Sequence, residues 1–97
     1  MYAKIHKSYR TVVAICDSDI LGKKFEEGKF QLDIRENFYK DKEISHEELI
    51  NLIQFQARED STFNIVGEKS IQAAIDAGII RKENVRRVAN IPFILVF

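Results

Sequence analysis

Apolar and polar positions change their period several times along the chain, and each change marks an element. Residues 2–7 alternate, with Ala3 and Ile5 apolar and Tyr2, Lys4 and His6 on the other side, which predicts a strand with one face toward a core. Residues 10–16 are apolar on both faces at Val12, Val13, Ala14 and Ile15, the pattern of a strand inside a sheet. A tight turn near Ser8 joins the two as a hairpin. Asp17-Ser18-Asp19 then ends the second strand, with carboxylates placed to cap a short turn or helical start before Leu21-Gly22. Residues 23–26 and 29–34 flank Glu27-Gly28 as a second hairpin. Its second arm alternates Phe30, Leu32 and Ile34 with Gln31 and Asp33, so its phenylalanine face is expected to pack inward.

The period then lengthens. Ser45-His46-Glu47-Glu48 fits the S-x-x-E capping box, and a helix should run from it to about Ala57. Glu47, Asn51, Gln54 and Arg58 make its polar stripe, opposite Leu49, Ile50, Leu52, Ile53 and Ala57. Gln56 projects into the apolar side, so fraying is expected before it. From Phe63 the chain reads as an apolar strand, one glycine at Gly67, and a second helix over residues 68–77 with Ile71, Ala74 and Ile75 inward. Gly78 is the left-handed residue that stops it, and Ala73, Ala74 and Ala77 allow a close approach to a sheet. Residues 84–88 and 92–97 supply closing strands, with Pro92 at an entry where its missing N–H does least harm. Without strict βαβ alternation, the expected fold is α+β. It is a two-layer sandwich of a mostly antiparallel sheet with two main helices on one face, as one domain over residues 1–97.

Composition agrees with a packed domain. Of 97 residues 45% are apolar and 31% charged, with only five Gly and Pro together, unlike a disordered chain. The longest apolar runs, residues 91–97 and 11–16, are far short of the roughly 20 needed for a helical membrane span, and no leader pattern opens the chain. A cytoplasmic location is therefore expected. Cys16 is alone, which excludes an internal disulfide, and its apolar strand predicts a buried, inert thiol. His6 and His46 are too far apart to suggest a zinc site, and nothing calls for a cofactor. The formal net charge is zero but unevenly spread: residues 1–24 carry +3, residues 25–60 carry −5 and residues 61–97 carry +2. A polyanion would meet the first and last segments if they shared a face.

Two constellations invite a functional reading. At Gly67-Glu68-Lys69-Ser70 a helix begins with free N–H groups and a partial positive charge, and Lys69 and Ser70 add a cation and a hydroxyl. The phosphate-binding G-x-x-x-x-G-K-[ST] loop is not matched, because Glu68 intervenes and no earlier glycine stands at the needed distance. What remains is generic anion capture, opposed by the charge of Glu68, or a close turn that needs glycine for its backbone alone. The second constellation is Tyr2, Lys4 and His6 on one strand face, Tyr9 and Arg10 at its turn, and Arg81, Lys82, Arg86 and Arg87 later. Mixed aromatic and basic residues on an exposed sheet suit single-stranded RNA. No catalytic set is seen: His6 lies on a strand, His46 in a capping box, and Asp17 and Asp19 at a turn.

Val13-Ala14-Ile15-Cys16-Asp17, Leu21-Gly22-Lys23-Lys24-Phe25, Phe38-Tyr39, Asn64-Ile65-Val66-Gly67-Glu68-Lys69 and Ile91-Pro92 follow one another as in an archaeal family. In this the chain resembles, over nearly its whole length, the domain of unknown function 424. The resemblance implies a small stand-alone archaeal α+β protein, nearer to translation-associated factors than to metabolic enzymes, and no established activity. Lys40-Asp41 replaces a family glycine after the Phe-Tyr pair, and Phe93 stands where the family tends to place a histidine, so no role of that histidine transfers. The residues that carry over are Cys16, Asp17, Gly22, Lys23, Phe38, Tyr39, Asn64, Gly67, Glu68 and Lys69. The reading is a noncatalytic binding or adaptor protein whose surface centres on Asn64, Gly67, Glu68, Lys69 and Ser70, with Asp17, Lys23 and Tyr39. Its expected partner is RNA or a translation-related protein, and residues 92–97 offer a strand for a homodimer. The alternative is a small enzyme or sensor that holds a phosphate or carboxylate ligand at the helix start after Gly67.

Overall fold

The computed structural model describes residues 1–97. Its elements are β1 (Tyr2–His6), β2 (Val12–Cys16), β3 (Lys24–Glu27), β4 (Phe30–Asp33), α1 (Glu36–Tyr39), α2 (His46–Arg58), β5 (Thr62–Val66), α3 (Glu68–Asp76), β6 (Arg86–Val88) and β7 (Ile91–Val96). Short 3-10 turns lie at Ser18–Ile20 and Lys82–Asn84. Five strands form one sheet in the order β1-β2-β5-β7-β6, and β3 and β4 pair separately. Neighbours are antiparallel except β2 and β5, which run parallel with Cys16 beside Val66. The fold is α+β.

The pleat of the sheet explains both cores. Ala3, Val13, Ile15, Phe63 and Ile65 project to one face, where Leu49 and Ile53 of α2 and Ile71, Ala73 and Ala74 of α3 pack on them. Ala14, Cys16 and Val66 project to the other face and meet Ile20, Ile34 and Tyr39. This second cover is small, consisting of the β3–β4 hairpin and the single turn α1. The two-sided apolar pattern of β2 has its cause here, since Val13, Ala14, Ile15 and Cys16 are all fully buried between the two covers.

The capping box of α2 is present: Ser45 Oγ accepts from Glu48 N at 3.2 Å and Ser45 N donates to Glu48 Oε1 at 3.0 Å. The helix does not fray before Gln56. Ser61 Oγ donates to Gln56 Oε1 at 2.7 Å, so the half-buried amide has a partner and the helix continues to Arg58. Gly78, at φ +84°, ends the last turn of α3 as expected.

Phe30 is a correction. The inward face of β4 is real at Ile34, which is 1% exposed, but Phe30 is 70% exposed. It stands at the hairpin tip beside the edge strand β6, where the sheet has run out and nothing further covers it. The terminal strand β7 lies within the chain's own sheet, between β5 and β6. A two-residue turn at Ala89 and Asn90, both with positive φ, joins it to β6, and Glu27 Oε1 accepts from Ala89 N at 2.6 Å to hold the hairpin there.

Candidate functional site

The parallel pairing of β2 and β5 sets Asp17 beside the start of α3. Asp17 N donates to Val66 O at 3.2 Å, and its carboxylate turns onto the helix end. Oδ2 accepts from Lys69 N at 3.0 Å, and Oδ1 accepts from Ser70 N at 2.8 Å and from Ser70 Oγ at 2.7 Å. Asp17 and Ser70 are both buried. A carboxylate on free helix amides satisfies orphan donors and sits at the positive end of the macrodipole. The expected anion site is therefore already filled by the chain itself, and the reading of a phosphate or carboxylate guest after Gly67 is overturned. Gly67 serves the close approach: at φ +109° and ψ 152° it has no Cβ, and one would lie 2.4 Å from Asp17 Cγ.

The other expected residues disperse. Glu68 turns outward to Arg87, accepting at 2.9 and 3.2 Å in a two-point pair that holds its carboxyl below the usual carboxylate range. The side chain of Lys69 is exposed. Lys23 is exposed too; its backbone is bonded to Ile20 and Ile34, and its side chain meets no partner.

Tyr39 and Asn64 do come together. Tyr39 is buried, and burial pushes its phenol well above the ordinary value, so it stays protonated and donates to Asn64 Oδ1 at 2.9 Å. Asn64 is half-buried in the middle of β5, paired with Ala14 on one side and Leu95 on the other. Its amide nitrogen has no partner within the chain and no buried polar atom is left unsatisfied, so that nitrogen reaches the surface.

The face of β1 expected to bind RNA is covered. Phe38 of α1 stacks on His6 at 4.6 Å, Phe38 O lies 2.7 Å from His6 Nε2, and Lys4 Nζ donates to Asn37 O at 2.8 Å. β1 and β6 are also opposite edges of the sheet, so the basic residues of the N-terminal hairpin do not join those near β6.

An open surface lies elsewhere. Beyond the hairpin, the face of β7 carries half-buried Phe93 and Leu95 at 49% exposure, while Phe97, 87% exposed, lies past the end of the strand near Ile79 and Ile80. Arg86 lies directly opposite Phe93 in register, and Phe30 completes a cleft of about 320 Å³ with them. A smaller hollow of about 170 Å³ continues it along Arg86, Phe93 and Leu95. Lys29, Arg81, Lys82 and Arg86 have neither ion-pair nor hydrogen-bond partners for their side chains. Of the nearby carboxylates, Glu27 and Glu68 are engaged, and Glu83 stands beside Lys82. Alternation alone gives no signal for this surface, because an apolar strand reads the same whether or not a second layer covers it.

Cys16 is fully buried, and burial, followed by the charge of Asp17, pushes its thiol up to about 12. At pH 8 the thiolate fraction is then on the order of 10⁻⁴. A disulfide reagent added to the native protein at that pH should find no reactive thiol over minutes, and one equivalent once urea unfolds the chain. Native reaction as fast as unfolded would contradict this burial.

A family model described as "Protein of unknown function (DUF424)" matches residues 6–97. Among solved structures, the chain is similar to an uncharacterized conserved protein from Methanopyrus kandleri, with TM-score 0.89 and 25% sequence identity. That match covers 98% of this chain and 88% of the other. No curated protein matches the chain.

Proposed function

This chain belongs to the DUF424 family, and from its own surface chemistry we propose that it is a noncatalytic binding protein for single-stranded RNA. The observation that carries the reading is the unpaired Arg86 set opposite Phe93, flanked by the exposed ring of Phe30. Single strands are bound by such a combination: a cation meets a phosphate while successive bases stack on aromatic faces, each stack worth roughly 1–3 kcal/mol. Lys29, next to Phe30 in the chain and without a side-chain partner, adds a second cation at the hairpin tip. The chain's zero net charge keeps the affinity modest.

Fluorescence anisotropy with a labelled oligo(U) RNA of about 12 nucleotides tests the proposal, with an expected Kd on the order of 10⁻⁵ M in about 50 mM salt. Two engaged cations give a slope of log K against log salt of about −1.4. Arg86→Glu should weaken binding at least about tenfold, and Phe30→Ala about five- to a hundredfold, since a stacked base is lost. Both side chains are exposed, so the variants should keep their melting temperatures. Absence of binding at millimolar protein, or equal binding by wild type and both variants, would refute the proposal.

A further inference from the structure

We infer that two copies of this chain pair along the last residues of β7, joining their sheets edge to edge through Leu95, Val96 and Phe97. The inference is independent of the RNA-binding reading. β7 enters the chain's own sheet but outruns β6: Arg86, Arg87 and Val88 pair with Phe93, Pro92 and Ile91, and no strand or bridge residue pairs beyond Phe93 on that side. β6 stops there because Asn84, the residue in line with Leu95, donates its N–H to Arg81 O at 3.0 Å in the preceding 3-10 turn. The register with β5 shows which groups are left over. Gly67 N donates to Pro92 O at 2.9 Å, so the alternate residues Pro92, Ile94 and Val96 turn their backbone groups to β5. Those of Leu95 and Phe97 turn the other way, where no backbone partner meets them.

The other edges of the sheet are protected. Along β1, Tyr2 bridges to Glu43 and Ile44 N donates to Met1 O at 2.9 Å, while β6 is three residues long and presents Arg86 and Arg87. Residues 94–97 read Ile-Leu-Val-Phe, with neither charge nor proline to discourage a second strand. A second copy suits this edge because the patch is complementary to itself. Leu95 is 49% exposed and Phe97 87%, and beside them Ile79, Ile80, Ile94 and Val96 line a hollow of about 350 Å³. An apolar cavity of about 150 Å³ accepts benzene, so a phenylalanine ring fits. With the strands antiparallel about Val96, Leu95 of each copy lies opposite Phe97 of the other, each such pair exchanges two backbone hydrogen bonds, and each Phe97 ring reaches the other copy's hollow. The formal net charge of zero sets no repulsion between the copies. A seam this short is well below the standard interface of about 1,600 Å², so the dimer is transient, with an expected Kd on the order of 10⁻⁴ M.

Sedimentation equilibrium without RNA, from about 10 μM to about 1 mM protein, should show a mass rising from 11.3 kDa toward twice that value. Leu95→Lys puts a charge on the open edge and should weaken the dimer at least about tenfold, as should Phe97→Ala by loss of the inserted ring. Both side chains are exposed, so the melting temperatures of the dilute variants should stay at the wild-type value. Phe30→Ala, at the hairpin tip, should dimerise as the wild type does. Amide hydrogen exchange reads the strand pairing itself: the Leu95 and Phe97 N–H groups should slow about fivefold between dilute and 1 mM protein, whereas contact through side chains alone would leave them unchanged. A chain that stays monomeric at 1 mM, a dimer that withstands both substitutions at the seam, or association that leaves these two amides unprotected would each overturn the inference. Protection that appears only when an unrelated extended peptide is added would assign the edge to another chain and overturn it as well.

Discussion

Replacing Asp17 by alanine is expected to lower the stability of the fold by about 3–5 kcal/mol, the cost of leaving several buried donors without a charged acceptor. Three hydrogen bonds end on that carboxylate, two at the Ser70 amide and hydroxyl, and Ser70 is fully buried. Alanine would leave both Ser70 donors unsatisfied and remove the negative charge from the start of α3. Asp17→Asn keeps the shape and one accepting oxygen, so about half the loss is expected. Asp19, exposed and two residues on, is the control; Asp19→Ala should stay within about 0.5 kcal/mol. Urea titration of the four proteins measures the difference. For a domain of this length the Asp17→Ala loss corresponds to a fall in Tm of about 12 °C or more. A loss below about 1 kcal/mol would mean that water reaches the Ser70 donors and that the cap is not what joins α3 to β2.

Much of the fold was legible because it rests on local periodicity. The capping box at Ser45, the stop at Gly78 and the two-sided apolar run of β2 each follow from residues within one or two turns of one another. α1 was not legible. Four residues are too few to show a helical period, and its purpose is remote: it carries Phe38 onto His6 and Tyr39 onto Asn64, 32 and 25 residues away. Phe30 was misjudged for a related reason. Its alternation with Leu32 and Ile34 is regular, but whether a ring at the end of a hairpin has a layer beneath it depends on where a distant sheet stops.

The site shows the same division more sharply. An aspartate in Asp17-Ser18-Asp19 reads as a cap, and Asp17 is one, but for a helix 51 residues further on rather than for the turn at Ser18–Ile20, which has no side-chain cap. The helix start at Gly67 reads as a place for an anion, and it holds one. What the sequence cannot carry is the parallel register of Cys16 with Val66, which makes the anion a residue of the same chain. The pairing also closes the start of α3. With the helix end closed, the polar group that remains open on the sheet is the Asn64 amide, and the unpaired cation beside exposed rings is Arg86. Both lie on the side of the sheet that the small hairpin leaves partly bare.

Gly67→Ala is expected to be as damaging as loss of the aspartate, and the two losses should not add. The backbone at φ +109° and ψ 152° lies in a region that glycine alone occupies readily, which costs a residue with a Cβ about 1–3 kcal/mol. The added carbon would also lie 2.4 Å from Asp17 Cγ, in a place the carboxylate cannot leave without giving up its bonds to Lys69 and Ser70. The single variant should therefore lose about 4 kcal/mol or more, combining strain with a broken cap. In an Asp17→Ala background the clash has gone and the cap is already lost, so the further cost of Gly67→Ala should fall to the strain alone. A double-mutant cycle in urea should then show a coupling of at least about 2 kcal/mol between two residues 50 positions apart. Additivity within about 0.5 kcal/mol would show that the Asp17 carboxylate yields freely to a methyl group, and that the close approach of β2 to α3 does not depend on glycine.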